Sequence, residues 1–268
     1  MEEAVIVIPA RHASARFPGK PLAMIRGADG QVRSLLERSV MAARAAAAGT
    51  PGVTGIYVAT DDDRIAAEAA RIGAEVIMTD AACANGTERV AQAVARAGLS
   101  QPIVVNLQGD APLTPPHFVA ALVEAMRAPA RPDMATPILR CDAAALENFR
   151  ADRHAGRVGA TTVVRDLAGN ALYFSKEILP FSDTLPAGGP IPVFHHVGLY
   201  AYRQAALRRY ASLPPGPLER IEGLEQLRFM EHGDRIATVE VDARGAVFWE
   251  VNNPEDIARV EAALLGEE

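Results

Sequence analysis

From residue 4 to residue 126 the chain repeats one pattern: a short apolar run, a turn, and a segment whose apolar residues recur on a helical period. The runs are AVIVI (4–8), GIYVAT (55–60), EVIMT (75–79) and PIVVNLQG (102–109). Without polar alternation, they read as strands covered on both faces. Between them the periodicity predicts helices over 34–48, 63–72, 86–98 and 115–126. Pro51-Gly52 closes the first, Thr60-Asp61 caps the second and Gly73 ends it. Strands and helices in this alternation predict a three-layer α/β fold whose sheet is mostly parallel and built from right-handed βαβ units.

Beyond residue 132 the pattern changes. DMATPILRCD (133–142) and VGATTVVR (158–165) read as strands, and DLAGN turns the second into ALYFS. FHHVGLYAYR is another β run. An amphipathic helix is predicted over 217–230, followed by strands at RIATVEV and FWEV. The chain therefore reads as one domain over 1–268, with 133–215 a β-rich insertion that covers the parallel sheet and offers a β surface to a partner subunit.

With 268 residues, 49% of them hydrophobic, the chain can bury a full core. A net charge of -6 argues against general affinity for nucleic acid or an anionic membrane. Cys83 and Cys141 are too few for a disulfide framework and read as reduced thiols. No apolar run spans a bilayer, and the acidic start Met1-Glu2-Glu3 is unlike a signal peptide, so a cytoplasmic location is expected.

Chemistry concentrates at two strand ends. The run ending at Ile8 opens into PARHASARFPGKPL, with Arg11, Arg16 and Lys20 in a loop stiffened by Pro9 and Pro18. Ligands in open α/β sheets bind at the carboxyl ends of strands. Arginine forks and a lysine point charge there suit the phosphates of a nucleoside triphosphate; the same cations also fit a solvated basic loop. Asp110 follows the strand 102–109 through Gly109, where a carboxylate suits Mg2+ or caps the next turn. At 86–87, Gly-Thr opens a helix whose backbone amides can meet an anion.

These blocks, with YVATDDDRIAAEA, MTDAACANGTERVAQA, VVNLQGDAPL, DLAGNALYFSK, HHVGLYAYR, PLERIEGLEQLRF and VNNPEDIARVE, resemble in order those of the sugar-activating nucleotidyltransferases. Within them the chain is similar to the CTP-dependent 3-deoxy-manno-octulosonate cytidylyltransferases, or CMP-Kdo synthetases. The resemblance covers nearly the whole chain. It implies a Rossmann-like fold of nucleotidyltransferase type A, a homodimer, and transfer of CMP from CTP to a small acidic acceptor with release of pyrophosphate. Arg11, Arg16, Lys20 and Asp110 would carry the catalysis. Pro9, Ala10, Arg11, Ser14, Arg16, Lys20, Gly86, Thr87, Arg89 and Gln108 would bind the nucleotide. Tyr173, Ser175, His196, Tyr200, Glu225 and Gln226 would line the acceptor pocket, although their types also fit core aromatics, a structural histidine and an exposed helix face. Mg2+ would sit on Asp110 and Asn252.

The sequence departs from the family at several of these positions. The family's V-D-T-P-E-D is Val251-Asn252-Asn253-Pro254-Glu255-Asp256 here, so a neutral amide stands where the second metal-holding carboxylate is expected. Asn252 can ligate through its oxygen or merely shape the turn. Ala111 replaces a Glu and Thr162 a Lys, changes that leave open a different acid, such as a modified octulosonate or a phosphonate. Outside enzymes, a nucleotide-binding homologue without turnover would carry the same fold.

Overall fold

The computed structural model describes residues 1–14, 16–128, 132–157, 160–182, 189–245 and 250–266. In chain order the strands are β1 (Ala4–Pro9), β2 (Met24–Arg26), β3 (Val32–Ser34), β4 (Val53–Thr60), β5 (Glu75–Met78), β6 (Ile103–Leu107), β7 (Met134–Arg140), β8 (Thr162–Arg165), β9 (Ala171–Ser175), β10 (Phe194–His196), β11 (Leu199–Arg203) and β12 (Ile236–Val241). The α-helices are α1 (Leu35–Ala48), α2 (Asp63–Arg71), α3 (Gly86–Arg96), α4 (Pro116–Arg127), α5 (Ala143–His154), α6 (Gln204–Tyr210), α7 (Pro217–Glu222), α8 (Leu227–Glu231) and α9 (Asp256–Leu265). Among the described residues, no helix is long and apolar enough to cross a membrane.

Ten strands form one sheet in the order β5-β4-β1-β6-β11-β7-β10-β8-β9, with β12 paired to β7. The pairings β5-β4-β1-β6 are parallel, and β11, β10 and β9 run against their neighbours, so β1, β4 to β8 and β12 all point one way. β2 and β3 form a separate hairpin. The β-rich segment continues the main sheet: β11 inserts between β6 and β7.

Alternation along β1 divides two cores. Ala4, Ile6 and Ile8 pack with Leu36, Val40, Ile65, Phe118 and Leu122 from α1, α2 and α4, whereas Val5 and Val7 pack with Val90 and Val94 of α3, Leu207 of α6 and Phe229 of α8. Helices thus cover both faces, giving the three layers. The chain moves from β1 outward to β4 and β5, then returns to β6 on the other side of β1. That reversal is a topological switch point, where strand ends splay their following loops apart and open a crevice.

Three stretches differ from the expected pattern. FHHVGLYAYR is broken at Val197-Gly198 into β10 and β11, because the two strands serve different neighbours, β8 and β6. The helix expected over 217–230 is two short helices, separated where Gly223 takes the left-handed conformation (φ 64°) and ends α7. Helices α5 and α6 lie in the segment read only as β-rich. Two of the four residues expected as a strand at FWEV, 248 and 249, and the start of the strand at 158–165 lie outside the described residues, and Glu250 and Val251 are not in a strand.

Candidate active site

Two loops meet at the switch point. After β1, the chain closes a compact turn in which the Gly19 amide donates to the His12 carbonyl at 2.9 Å, and left-handed Gly19 (φ 72°) starts the short helix that presents Lys20. After β6, Gly109 crosses directly against β1: a Cβ there would lie 2.7 Å from the Pro9 carbonyl oxygen. Ser39 of α1 ties the Gly109 carbonyl at 3.0 Å. Asp110 is thereby fixed beside the loop that carries the cations.

A third strip of chain completes the mouth. Val251 is fully buried with Ile25, Leu35 and Val260, and its amide donates to the Asp110 carbonyl at 2.8 Å. Lys20 Nζ donates to Asp110 Oδ2 at 2.6 Å and to the Val251 carbonyl at 2.8 Å. Arg16 donates to Asn252 Oδ1 at 3.0 Å. The amides of Asn252 and Asn253 both donate to Asp256, at 2.8 and 2.7 Å, so the turn is shaped by Asp256 and the Asn252 side chain is left to face the cation loop. Arg11 is exposed and reaches the Ala84 carbonyl at 3.4 Å. Arg16, Lys20, Asp110 and Asn252 therefore belong to one locus, while Arg11, from the same loop, is turned to Ala84.

Glu250 is a member of that locus that the sequence reading did not pick out. A Cβ on residue 198 would lie 2.5 Å from Glu250 Oε1, and desolvation, with the Asp110 charge second, pushes the Glu250 carboxyl up to about 7.

The remaining nucleotide residues form the facing wall. Gly86 sits where a Cβ would come 3.3 Å from Gln108 Oε1 and 3.5 Å from Pro9, so α3 starts tightly against β1 and β6. Ala10 is buried and half-buried Ser14 lies in the loop turn. Two residues are committed elsewhere. Arg89 is buried in an ion pair with Asp61 (2.9 Å) and a hydrogen bond to Thr79. Thr87 bonds Tyr202 through its hydroxyl at 2.9 Å, and its amide donates to Glu225 at 3.2 Å. The helix N-terminus expected to meet a substrate anion thus already faces a protein carboxylate, whose protonated form is favoured by burial.

Apart from Glu225, which accepts from the Thr87 amide, the expected acceptor residues fall into two groups. Tyr173 and Ser175 both donate to Glu222, at 3.2 and 2.7 Å. His196, Tyr200 and Gln226 lie on an aromatic ladder running from Phe174 through His196, Tyr200 and Tyr202 to Phe229. Tyr200 donates to Gln226 at 3.4 Å, while the buried Gln226 Nε2 has no partner among the described residues. Arg228, buried between Glu219 and Glu88 and lying 4.3 Å over the Tyr210 ring, clamps α8 to α3 and so holds Glu225 at Thr87. Ala111 is buried, and Thr162 directs its hydroxyl to the backbone of Glu177 and Leu179.

The model of the cytidylyltransferase family matches residues 5–236. A 3-deoxy-manno-octulosonate cytidylyltransferase of Maricaulis maris is 44% identical over 97% of this chain and 96% of its own length. An 8-amino-3,8-dideoxy-manno-octulosonate cytidylyltransferase of Shewanella piezotolerans is 40% identical, covering 97% of each chain. Among solved structures, a CMP:2-keto-3-deoxy-manno-octonic acid synthetase complexed with CTP superposes with a TM-score of 0.81 at 33% identity, over 99% of this chain and 100% of the other.

Proposed function

The chain belongs to the cytidylyltransferase family, and on that premise we propose that it transfers CMP from CTP to 3-deoxy-manno-octulosonate, releasing pyrophosphate. One observation carries the reading: Arg16, Lys20, Asp110 and Asn252 converge at the switch point of the sheet, in a chain that matches end to end a synthetase solved with CTP.

In the reaction an acceptor hydroxyl oxygen attacks the α-phosphorus. Its new P–O bond forms as the bond to the bridging oxygen breaks; pyrophosphate leaves with that electron pair and the hydroxyl loses its proton. Such a step depends on positioning and charge neutralisation rather than on a covalent intermediate. Arg11 and Arg16 supply exposed guanidinium donors at the mouth. Lys20 fixes the Asp110 carboxylate and the 251 carbonyl in one place.

The oxygen donors gathered at the mouth, the Asp110 carboxylate, the Asn252 amide and the Val251 carbonyl, fit Mg2+, a hard cation held by few protein ligands plus phosphates and water. Asp110 and Asn252 would hold it. When bound, Mg2+ neutralises charge on the α-phosphate and lowers the pKa of the attacking hydroxyl.

A second acceptor has an observation in its favour: relatives at 40% identity are named for the 8-amino-3,8-dideoxy sugar. Incubation with CTP, Mg2+ and each octulosonate, followed by mass detection of the CMP-linked product, separates the two. Product with 3-deoxy-manno-octulosonate supports the main reading, product only with the amino sugar moves the assignment, and no CMP product with either overturns both. A homodimer through the β-rich segment is supported by the exposed Leu167, Leu172 and Phe181; a monomer by sedimentation at micromolar concentration would count against it. Two free thiols fit a cytoplasmic setting.

A further inference from the structure

Asn85 serves two parts of the fold at once. Its Oδ1 accepts the Glu88 amide at 2.8 Å and so caps α3. A backbone amide can only donate, which fixes the side chain with its oxygen toward α3 and its nitrogen away from it. That nitrogen donates to the Tyr210 hydroxyl, at the end of α6, at 2.9 Å. With its oxygen accepting there, the hydroxyl gives its own proton to the Glu225 carbonyl at 3.3 Å, a group that can only accept. The polarity of the relay from Glu88 through Asn85 and Tyr210 to Glu225 is therefore set by its two backbone ends.

A side chain closes the circuit. The Glu225 carboxylate accepts the Thr87 amide at 3.2 Å, two residues on from Asn85. The Tyr210 side chain is fully buried, stacked on Phe229 at 4.9 Å and covered by the Arg228 guanidinium at 4.3 Å, so its hydroxyl has one place to be. The start of α3 and residue 225 are thus held at one separation. Gln226 follows directly. It is 2% exposed, its oxygen is taken by Tyr200, and its Nε2 has no partner among the described residues. A buried amide nitrogen without an acceptor costs stability unless a ligand oxygen meets it, and an acidic sugar brings carboxylate and hydroxyl oxygens. The cation loop is braced by separate contacts, Gly19 to His12 and Lys20 to Asp110 and Val251.

We propose that Tyr210, acting with Asn85, is a positioning residue of the transferase site: its hydroxyl sets where Glu225 and Gln226 stand relative to the start of α3, and so sets the fit of the acceptor acid rather than that of CTP. Both residues act through others, without touching substrate. The inference rests on the nucleotidyl-transfer reading of the site and on the acceptor meeting Gln226.

Tyr210→Phe tests it, because it keeps the buried ring and removes only the hydroxyl. At saturating CTP, the KM for 3-deoxy-manno-octulosonate is expected to rise by about tenfold, the scale of one buried hydrogen bond, with kcat and the calorimetric CTP affinity each within about twofold of native. A raised KM at constant kcat marks lost binding of the acceptor; a purely structural hydroxyl would lower Tm and leave that KM alone. Asn85→Ser keeps an oxygen to cap α3 but has no second arm for Tyr210, and should raise the same KM by about threefold. Adding it to Tyr210→Phe should raise KM no further, since both act through one hydroxyl. Native acceptor KM in Tyr210→Phe, an equal loss of CTP affinity, or additive effects in the double variant overturns the proposal. Should Tyr210→Phe fail to fold, Asn85→Ser decides: a native acceptor KM there overturns the proposal and a raised one supports it. Failure of the underlying reading looks different, since native enzyme would then form no CMP product with that sugar.

Discussion

Arg16 reaches Asn252 with one terminal nitrogen, and a guanidinium carries five N–H donors, so donors remain for a phosphate oxygen. A charge-assisted hydrogen bond is worth about 1.5–3 kcal/mol, and the exposure of Arg16 puts it at the lower end. Arg16→Ala should therefore weaken CTP by about tenfold in calorimetry; unchanged affinity would remove the cation loop from the triphosphate site. Residues of this kind are legible in sequence, because Arg11, Arg16, Lys20 and Asp110 stand in Gly- and Pro-punctuated loops just after apolar runs, where a strand can only be ending. Glu250 and Glu225 were harder. Each acquires its meaning from a neighbour distant in the chain, Gly198 for one and the Thr87 amide for the other, and no local spacing encodes such a meeting. Arg89 shows the converse: its place in the GTER block suggested the nucleotide, but its charge is balanced by Asp61 within the protein.

At the scale of elements, close approach of β1 and β6 is what brings the two loops together. Gly109 permits it, with the Pro9 carbonyl 2.7 Å from where a Cβ would stand and Ile8 Cγ2 at 3.5 Å. The first contact is backbone and cannot rotate aside. Gly109→Ala should destabilise the protein by about 1–3 kcal/mol, the range for forcing extra volume into a packed site. Turnover should fall further than stability does, because Asp110 follows directly and its bond to Lys20 is only 2.6 Å. A variant with native Tm and native kcat would show that the strands separate without consequence. The first half of the fold could be read from periodicity because its central strands β1 and β6 are buried on both faces, although the edge strand β5 leaves Glu75 and Met78 exposed. The second half could not. α5 buries only Leu146, so it has no stripe to read, and the break between α7 and α8 depends on one left-handed glycine inside an otherwise continuous amphipathic pattern.

For the molecule as a whole, pH reports on the aromatic ladder that joins the antiparallel half of the sheet to α8. His196 is buried, its Nε2 2.9 Å from the Thr136 hydroxyl, with Phe174 and Tyr200 rings beside it at 5.0 and 5.6 Å. Burial, with a smaller contribution from His195, lowers it from 6.5 to about 3. The unfolded chain takes up the proton near pH 6.5 and the folded protein does not, so between these values the unfolded state binds more protons. Stability from keeping His196 neutral is thus complete above pH 6.5 and is lost as pH falls, by about 2 kcal/mol at pH 5 for one fully shifted histidine. Glu250 acts in the opposite sense: its raised carboxyl favours the folded state at low pH and loses that advantage as pH rises toward 7. The native curve sums both trends, and a comparison of two proteins isolates the histidine. His196→Gln, whose amide can still meet Thr136, should lower Tm at pH 8 yet flatten the decline of Tm between pH 6.5 and 5. Parallel Tm curves for native and His196→Gln over that interval would mean that His196 titrates as freely in the folded protein as in the unfolded chain, and that the ladder does not keep it neutral.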